Sequence, residues 1–332
     1  MHALLFQKMR KLHLFFAFII VSCGGGGGSS SIDTLSTNDS NNTSNDLIEN
    51  CNQQQTNLIR CDFTHQGLDR YYLIQPPHPE ADGDSSLIFN LHGYGSNAME
   101  QMLYTGLNSL TYTKENNFIL IHPQGAPLET ALTSSSSHWN SGGWTIGSTV
   151  DDVDFIDTVI ELVSKKYNLN MDRIYSTGMS NGGFMSYHLA CNLSSKISGV
   201  ASVTGSMSRQ TYDSCNPQKP IPILQIHGAL DGTVPFDGNS ALGMEPIEKV
   251  MTYWQEFNSC DVEPITTTNN FINLGSSVEY SQYVNCLNNV QVELYKIDTM
   301  SHVWPKKDRF GISASEAIFN FFNTYDANGK LN

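Results

Sequence analysis

Ser180 stands in Gly178-Met179-Ser180-Asn181-Gly182, where a nucleophilic hydroxyl is flanked by residues of little bulk. Arg173–Thr177 before it reads as a strand and Gly182–Asn192 after it as a helix, the strand–turn–helix context of a nucleophile elbow. A serine hydroxyl attacks a carbonyl only when a base takes its proton and an acid orients that base. In this architecture the acid follows the nucleophile along the chain, and the base follows the acid. Asp231 lies in Gly228-Ala229-Leu230-Asp231-Gly232, just past the apolar run Ile223–His227. That is the C-terminal end of a strand, where α/β sheets place their chemistry. Asp213 and Asp261 are rivals by order, but neither follows a convincing buried strand. Among ten histidines, order removes those before Ser180, His188 lies beyond the nucleophile on its helix, and His227 belongs to the acid's own strand. His302 remains as the base, on a loop after Val290–Ile297. A developing oxyanion needs backbone N–H donors. Asn181, next after the nucleophile, and Tyr94, in Leu91-His92-Gly93-Tyr94-Gly95-Ser96-Asn97, fit those places.

These side chains must be carried by strands and helices. Tyr71–Gln75, Ser86–Leu91, Phe118–His122, Arg173–Thr177, Gly199–Val203, Ile223–His227 and Val290–Ile297 read as strands. Several are continuous apolar runs, as strands covered on both faces tend to be. Asp152–Tyr167 has apolar residues at helical spacing and acids in its first turn, which favour the positive end of a helix. Further helices are expected at Pro246–Phe257 and Ser313–Tyr325. Strands alternating with helices predict an α/β class with a mostly parallel central sheet and helices on both faces. The acids Asp151, Asp152 and Asp154 are accounted for by that helix N-terminus, so no metal is expected there.

The chain has 332 residues, 18 basic and 32 acidic, for a net charge of -14. That balance excludes a phosphate-backbone binder, whose footprint is basic, so no nucleic-acid partner is expected. Residues 1–23 read as a targeting segment: Lys8, Arg10 and Lys11, then the short apolar run Leu14–Val21. Ile20-Val21-Ser22-Cys23 resembles a bacterial lipobox, with Cys23 as the lipidated residue. A Gly/Ser/Asn-rich stretch over 24–50 has almost no apolar residues and reads as a disordered tether reaching roughly 30 Å. The folded domain is expected over 51–332, exported and held at a membrane through its N-terminal lipid (outer membrane or cell surface), or secreted. Six cysteines remain, Cys51, Cys61, Cys191, Cys215, Cys260 and Cys286, an even number that suits disulfides in an exported chain. Sequence neighbours would pair as 51–61, 191–215 and 260–286, although six cysteines allow 15 connectivities.

Leu91–Asn97, Trp139-Asn140-Ser141-Gly142-Gly143 with Val150–Val153, Thr177–Gly183 with Leu189-Ala190-Cys191, Ile226–Pro235 and His302–Pro305 form an ordered set over about residues 55–325. The set resembles the secreted polyhydroxybutyrate depolymerase and feruloyl esterase group of α/β-hydrolases. The resemblance implies an α/β-hydrolase fold, carboxylester hydrolysis of small or oligomeric esters, no cofactor, and Ser180, Asp231 and His302 as the triad. It also implies a bridge near the elbow helix involving Cys191. Trp139, Trp144 and Trp304 are expected to contact substrate. The same triad could serve a serine peptidase, and a catalytically silent polymer-binding protein is the remaining alternative.

Overall fold

In the computed structural model, which describes residues 47–130, 133–143 and 147–331, the residues from Leu47 onward form one unit. The expected targeting segment with Cys23, the tether up to residue 46, and Trp144 lie outside the described residues.

The sheet strands are β1 (Glu49–Gln55), β2 (Leu58–His65), β3 (Leu68–Gln75), β4 (Ser85–Leu91), β5 (Asn116–Pro123), β6 (Leu169–Met179), β7 (Gly199–Val203), β8 (Ile223–Gly228), β9 (Ile265–Phe271), β10 (Ser276–Tyr283) and β11 (Val292–Ile297). They pair in the order β1-β2-β3-β5-β4-β6-β7-β8-β11-β10-β9, and a short strand at Tyr112–Thr113 pairs with β5 off this path. Every pairing from β5 to β11 along this path is parallel. The flanks β1-β2-β3 and β10-β9 are antiparallel, including their junctions with β5 and β11. The mostly parallel sheet expected from the sequence is therefore the six central strands.

The helices that cover this sheet are α1 (Ala98–Thr105), α2 (Asp152–Ser164), α3 (Asn181–Asn192), α4 (Ile247–Phe257) and α5 (Ala314–Phe322). Ile119 and Ile121 of β5 join a core cluster with Phe155 of α2, Tyr187 of α3 and Trp254 of α4. Their neighbours Phe118 and Leu120 join the opposite cluster with Ile318 and Phe322 of α5. One strand thus feeds two cores, which is why its sequence is continuously apolar. Each such aliphatic side chain, fully buried, contributes about 2 kcal/mol.

The two outermost strands, β1 and β9, went unread for the opposite reason. β9, Ile-Thr-Thr-Thr-Asn-Asn-Phe, is exposed along nearly its whole length and carries no apolar alternation. β1 is likewise polar and exposed, and begins two residues before the expected Cys51 boundary. It is fastened instead by Cys51–Cys61, residues directly opposite in the β1–β2 register. The other two bridges are Cys191–Cys215 and Cys260–Cys286, so all three follow sequence neighbours.

Candidate active site

Ser180 sits at the junction of β6 and α3 with φ 55° and ψ -120°, a left-handed backbone that a serine adopts only under constraint. Its N–H donates to Val203 O at 2.9 Å, and its carbonyl accepts from Phe184 N–H at 3.0 Å. The turn is tight enough to require glycine on both sides. A Cβ on Gly182 would lie 2.2 Å from Leu91 O, and one on Gly178 would lie 2.5 Å from the Gly182 carbonyl carbon. The hydroxyl is thereby presented at the C-terminal edge of the sheet.

Asp231 follows β8, and its side chain is wholly buried. One carboxylate oxygen accepts the N–H groups of Thr233 and Val234, both at 2.9 Å. The other, Oδ2, receives His302 Nδ1–H at 2.7 Å. Burial opposes the Asp231 charge, but the His302 and Val234 hydrogen bonds and the two neighbouring imidazoles outweigh it. Its carboxyl is held below the usual carboxylate range. The loops bearing Asp231 and His302 are laced together, since Leu230 N–H donates to Met300 O at 3.0 Å and Ala229 N–H to Ile297 O at 2.8 Å. The His302 ring keeps 20% exposure and lines, with Ser180, a cavity of about 580 Å³. Gly93, Tyr94, Leu103 and Tyr104 line it too, together with polar groups that include Glu100 and Lys306.

The loop after β4 lies against Ser180, where a Cβ on Gly93 would meet the Ser180 Cβ at 3.6 Å. His92 orients this loop. Its Nε2 accepts Gly125 N–H at 2.9 Å, so its Nδ1 carries the proton and donates to Gly93 O at 2.8 Å. In a trans peptide C=O and N–H point opposite ways, so fixing the Gly93 carbonyl turns the Tyr94 N–H away from His92. Burial pushes the His92 imidazole down to about 4, which keeps the ring neutral and this tautomer in place.

Trp139 and Trp304 do not line the cavity, contrary to the expectation of substrate contact. Trp139 has no solvent exposure. Its indole N–H donates to His92 O at 2.9 Å, its backbone N–H to Asn181 Oδ1 at 2.7 Å, and its carbonyl accepts Asn181 Nδ2–H at 3.0 Å. The residue is a pin between the loop after β4 and the elbow. Trp304 is 3% exposed, packs in the core beneath α5, and donates Nε1–H to Ser315 Oγ. The apolar wall is supplied instead by α1, through Leu103 and Tyr104, which the sequence reading passed over. Its readable signal was Asn97 followed by Glu100, a cap-and-third-residue spacing. Asn97 Oδ1 indeed accepts Glu100 N–H at 2.9 Å.

The three aspartates near α2 all have protein partners. Asp151 caps the helix, Asp152 is paired in the interior with Arg70 at 2.7 Å, and Asp154 meets His65 at 2.9 Å. Among the described residues, the one cluster with metal-ligand spacing is Glu49, Cys51 and Cys61, whose two thiols are already joined as a disulfide.

A family model described as phospholipase/carboxylesterase matches residues 77–259, which hold Tyr94, Ser180 and Asp231. The bifunctional acetylxylan esterase/xylanase XynS20E of Neocallimastix patriciarum is 24% identical over 204 residues, 61% of this chain and 26% of that protein. Feruloyl esterase B of Piromyces equi is 29% identical over 171 residues, 48% of this chain and 31% of that protein. The chain thus spans between about a quarter and a third of the length of these two relatives. Among solved structures, the acetyl xylan esterase from Aspergillus awamori matches with a TM-score of 0.54 at 13% identity, covering 76% of this chain and 93% of that one. That likeness extends to the α/β-hydrolase fold.

Proposed function

The chain belongs to the phospholipase/carboxylesterase family of α/β-hydrolases, and from that premise we propose that it is a serine esterase working through an acyl-enzyme. The observation that carries the reading is the buried Asp231–His302 pair at 2.7 Å, with His302 lining the same cavity as the constrained Ser180. Ser180 Oγ attacks the ester carbonyl as His302 Nε2 takes its proton, and Asp231 holds the imidazolium that forms. The tetrahedral oxyanion is received by the Tyr94 and Asn181 N–H groups. His302 then protonates the departing alcohol, and water repeats the cycle on the acyl group.

The walls formed by Tyr94, Leu103 and Tyr104 suit an apolar or aromatic acyl group, which fits hydroxyalkanoate oligomers or feruloyl-type esters. Three disulfides and the apolar run before Cys23 support export, with Cys23 lipidated and the stretch after it serving as a tether. The deciding experiment compares initial rates on p-nitrophenyl butyrate, methyl ferulate and a soluble 3-hydroxybutyrate oligomer for wild type and Ser180→Ala. The substitution should lower kcat on the order of 10⁶-fold. Near-wild-type turnover in Ser180→Ala would refute the serine mechanism, and preference between the last two esters assigns the acyl group.

A further inference from the structure

β8 carries two polar side chains, Gln225 and His227, on the face covered by α3, and neither has any solvent exposure. Buried polar groups in a strand cost stability unless every one is paired, and apolar residues would fill the same space more cheaply. Here each finds a partner, and the partners fix every proton. The Gly205 carbonyl can only accept, and it lies 2.9 Å from Gln225 Nε2, so that end of the amide is the donor. The same Nε2 lies 2.9 Å from His227 Nδ1, which must therefore be the bare nitrogen. His227 Nε2 then carries the hydrogen and donates to Val234 O at 2.8 Å. At the other end, Gln225 Oε1 accepts from Tyr187 OH of α3 at 2.7 Å.

Val234 is the residue whose N–H binds Asp231 Oδ1, so it is held through its carbonyl by His227 and through its N–H by the acid. His227 Nε2 also lies 3.6 Å from Asp231 Oδ2, the oxygen that receives His302, a distance too long for a hydrogen bond. We propose that Tyr187, Gln225 and His227 form a proton-ordered brace that positions Asp231 for His302 and ties it to the helix behind Ser180. The assignment makes them positioning residues and rests on the esterase reading above.

The charged and titratable groups around His227 are Asp231 and His302 on the two loops, Tyr187 of α3, and Lys296 of β11, which lies over the Phe236 ring that contacts His227 edge-on. Burial lowers the His227 pKa, in keeping with a neutral ring.

The test pairs kinetics with a tautomer measurement on the full chain. On p-nitrophenyl butyrate, Tyr187→Phe should lower kcat about tenfold with KM changed less than twofold, because only alignment is lost. His227→Gln retains a donor where Nε2–H stood, whereas His227→Leu does not. At matched Tm, the glutamine variant should keep at least fivefold more kcat than the leucine variant. Nitrogen-15 NMR of histidine-labelled protein should place His227 in the Nε2–H tautomer, its signal identified by loss in His227→Gln. Equal kcat in the two His227 variants, or an unchanged kcat in Tyr187→Phe, would overturn the brace. So would an Nδ1–H tautomer, whatever the activity. Absence of Ser180-dependent turnover in wild type would instead overturn the esterase reading and leave the tautomer result standing.

Discussion

Trp139 illustrates how far residue identity can be read without a fold. Its type suggested a pocket aromatic, yet three of its polar groups are committed to His92 and Asn181 inside the protein. Exposure is a property of the packed chain, so a tryptophan on a Gly/Ser-rich loop gives no sign of which way it turns. The proposed triad of Ser180, Asp231 and His302 could be nominated because covalent chemistry demands particular side chains in a particular order along the chain. Order together with placement on helix and strand removed the competing histidines, and the structure joins Asp231 to His302 directly. Trp139→Phe keeps most of the buried ring while deleting the donor to His92 O. A buried carbonyl left without its partner costs about 1–3 kcal/mol, and the loop bearing Tyr94 loses its pin. The expected outcome is a lower Tm together with a kcat reduced about tenfold at little-changed KM, measured by thermal melting and ester kinetics. A Trp139→Phe enzyme with raised KM and normal kcat would restore the substrate-contact role.

Elements were readable in proportion to their burial. β4, β5, β6, β7, β8 and β11 announced themselves as apolar runs, because each is covered on both faces. β9 escaped notice, since a sheet edge facing water needs no apolar face to form. α1 was missed because its buried face is small: Ala98, Gln101, Met102 and Thr105. Its outer residues nevertheless matter most to the cavity, as Leu103 is 70% exposed and Tyr104 39%. The helix is eight residues long and starts from the Asn97 cap, so it depends on that cap more than a long helix would. Asn97→Ala should cost about 1 kcal/mol and loosen the wall while leaving the triad intact. Kinetics should therefore register a severalfold rise in KM for a bulky acyl ester, with kcat near wild type. An unchanged KM would mean that α1 is not a substrate wall.

For the molecule as a whole, buried imidazoles set the response to acid. Burial pushes His92 down to about 4 and His122 to about 3, against an ordinary value of 6.5. Lowered folded values mean that the unfolded chain takes up protons first, so this contribution is complete above pH 6.5 and is lost as pH falls towards 4. At pH 5 the loss is roughly 2 kcal/mol per ring. Glu293 works the other way. Burial raises it to about 7, so its contribution is present at low pH and fades as pH rises through 7. With His92, His122, His138, His188 and His227 all lowered by burial against one raised carboxyl, calorimetry should find Tm falling between pH 7 and pH 5, and falling more steeply in Glu293→Gln. A Tm flat over that range would contradict the balance.

The same burial pattern divides the histidines by reach. His65, His92, His122, His138 and His227 are closed off by the fold, while His78, His188 and His302 touch solvent. Of these three, His302 is the ring that faces the cavity. An acylating reagent aimed at imidazoles therefore enters through the substrate's own door. His92 and His227 are shielded from it, so covalent labelling should silence the proposed base, His302, without unfastening the loops that these two rings hold.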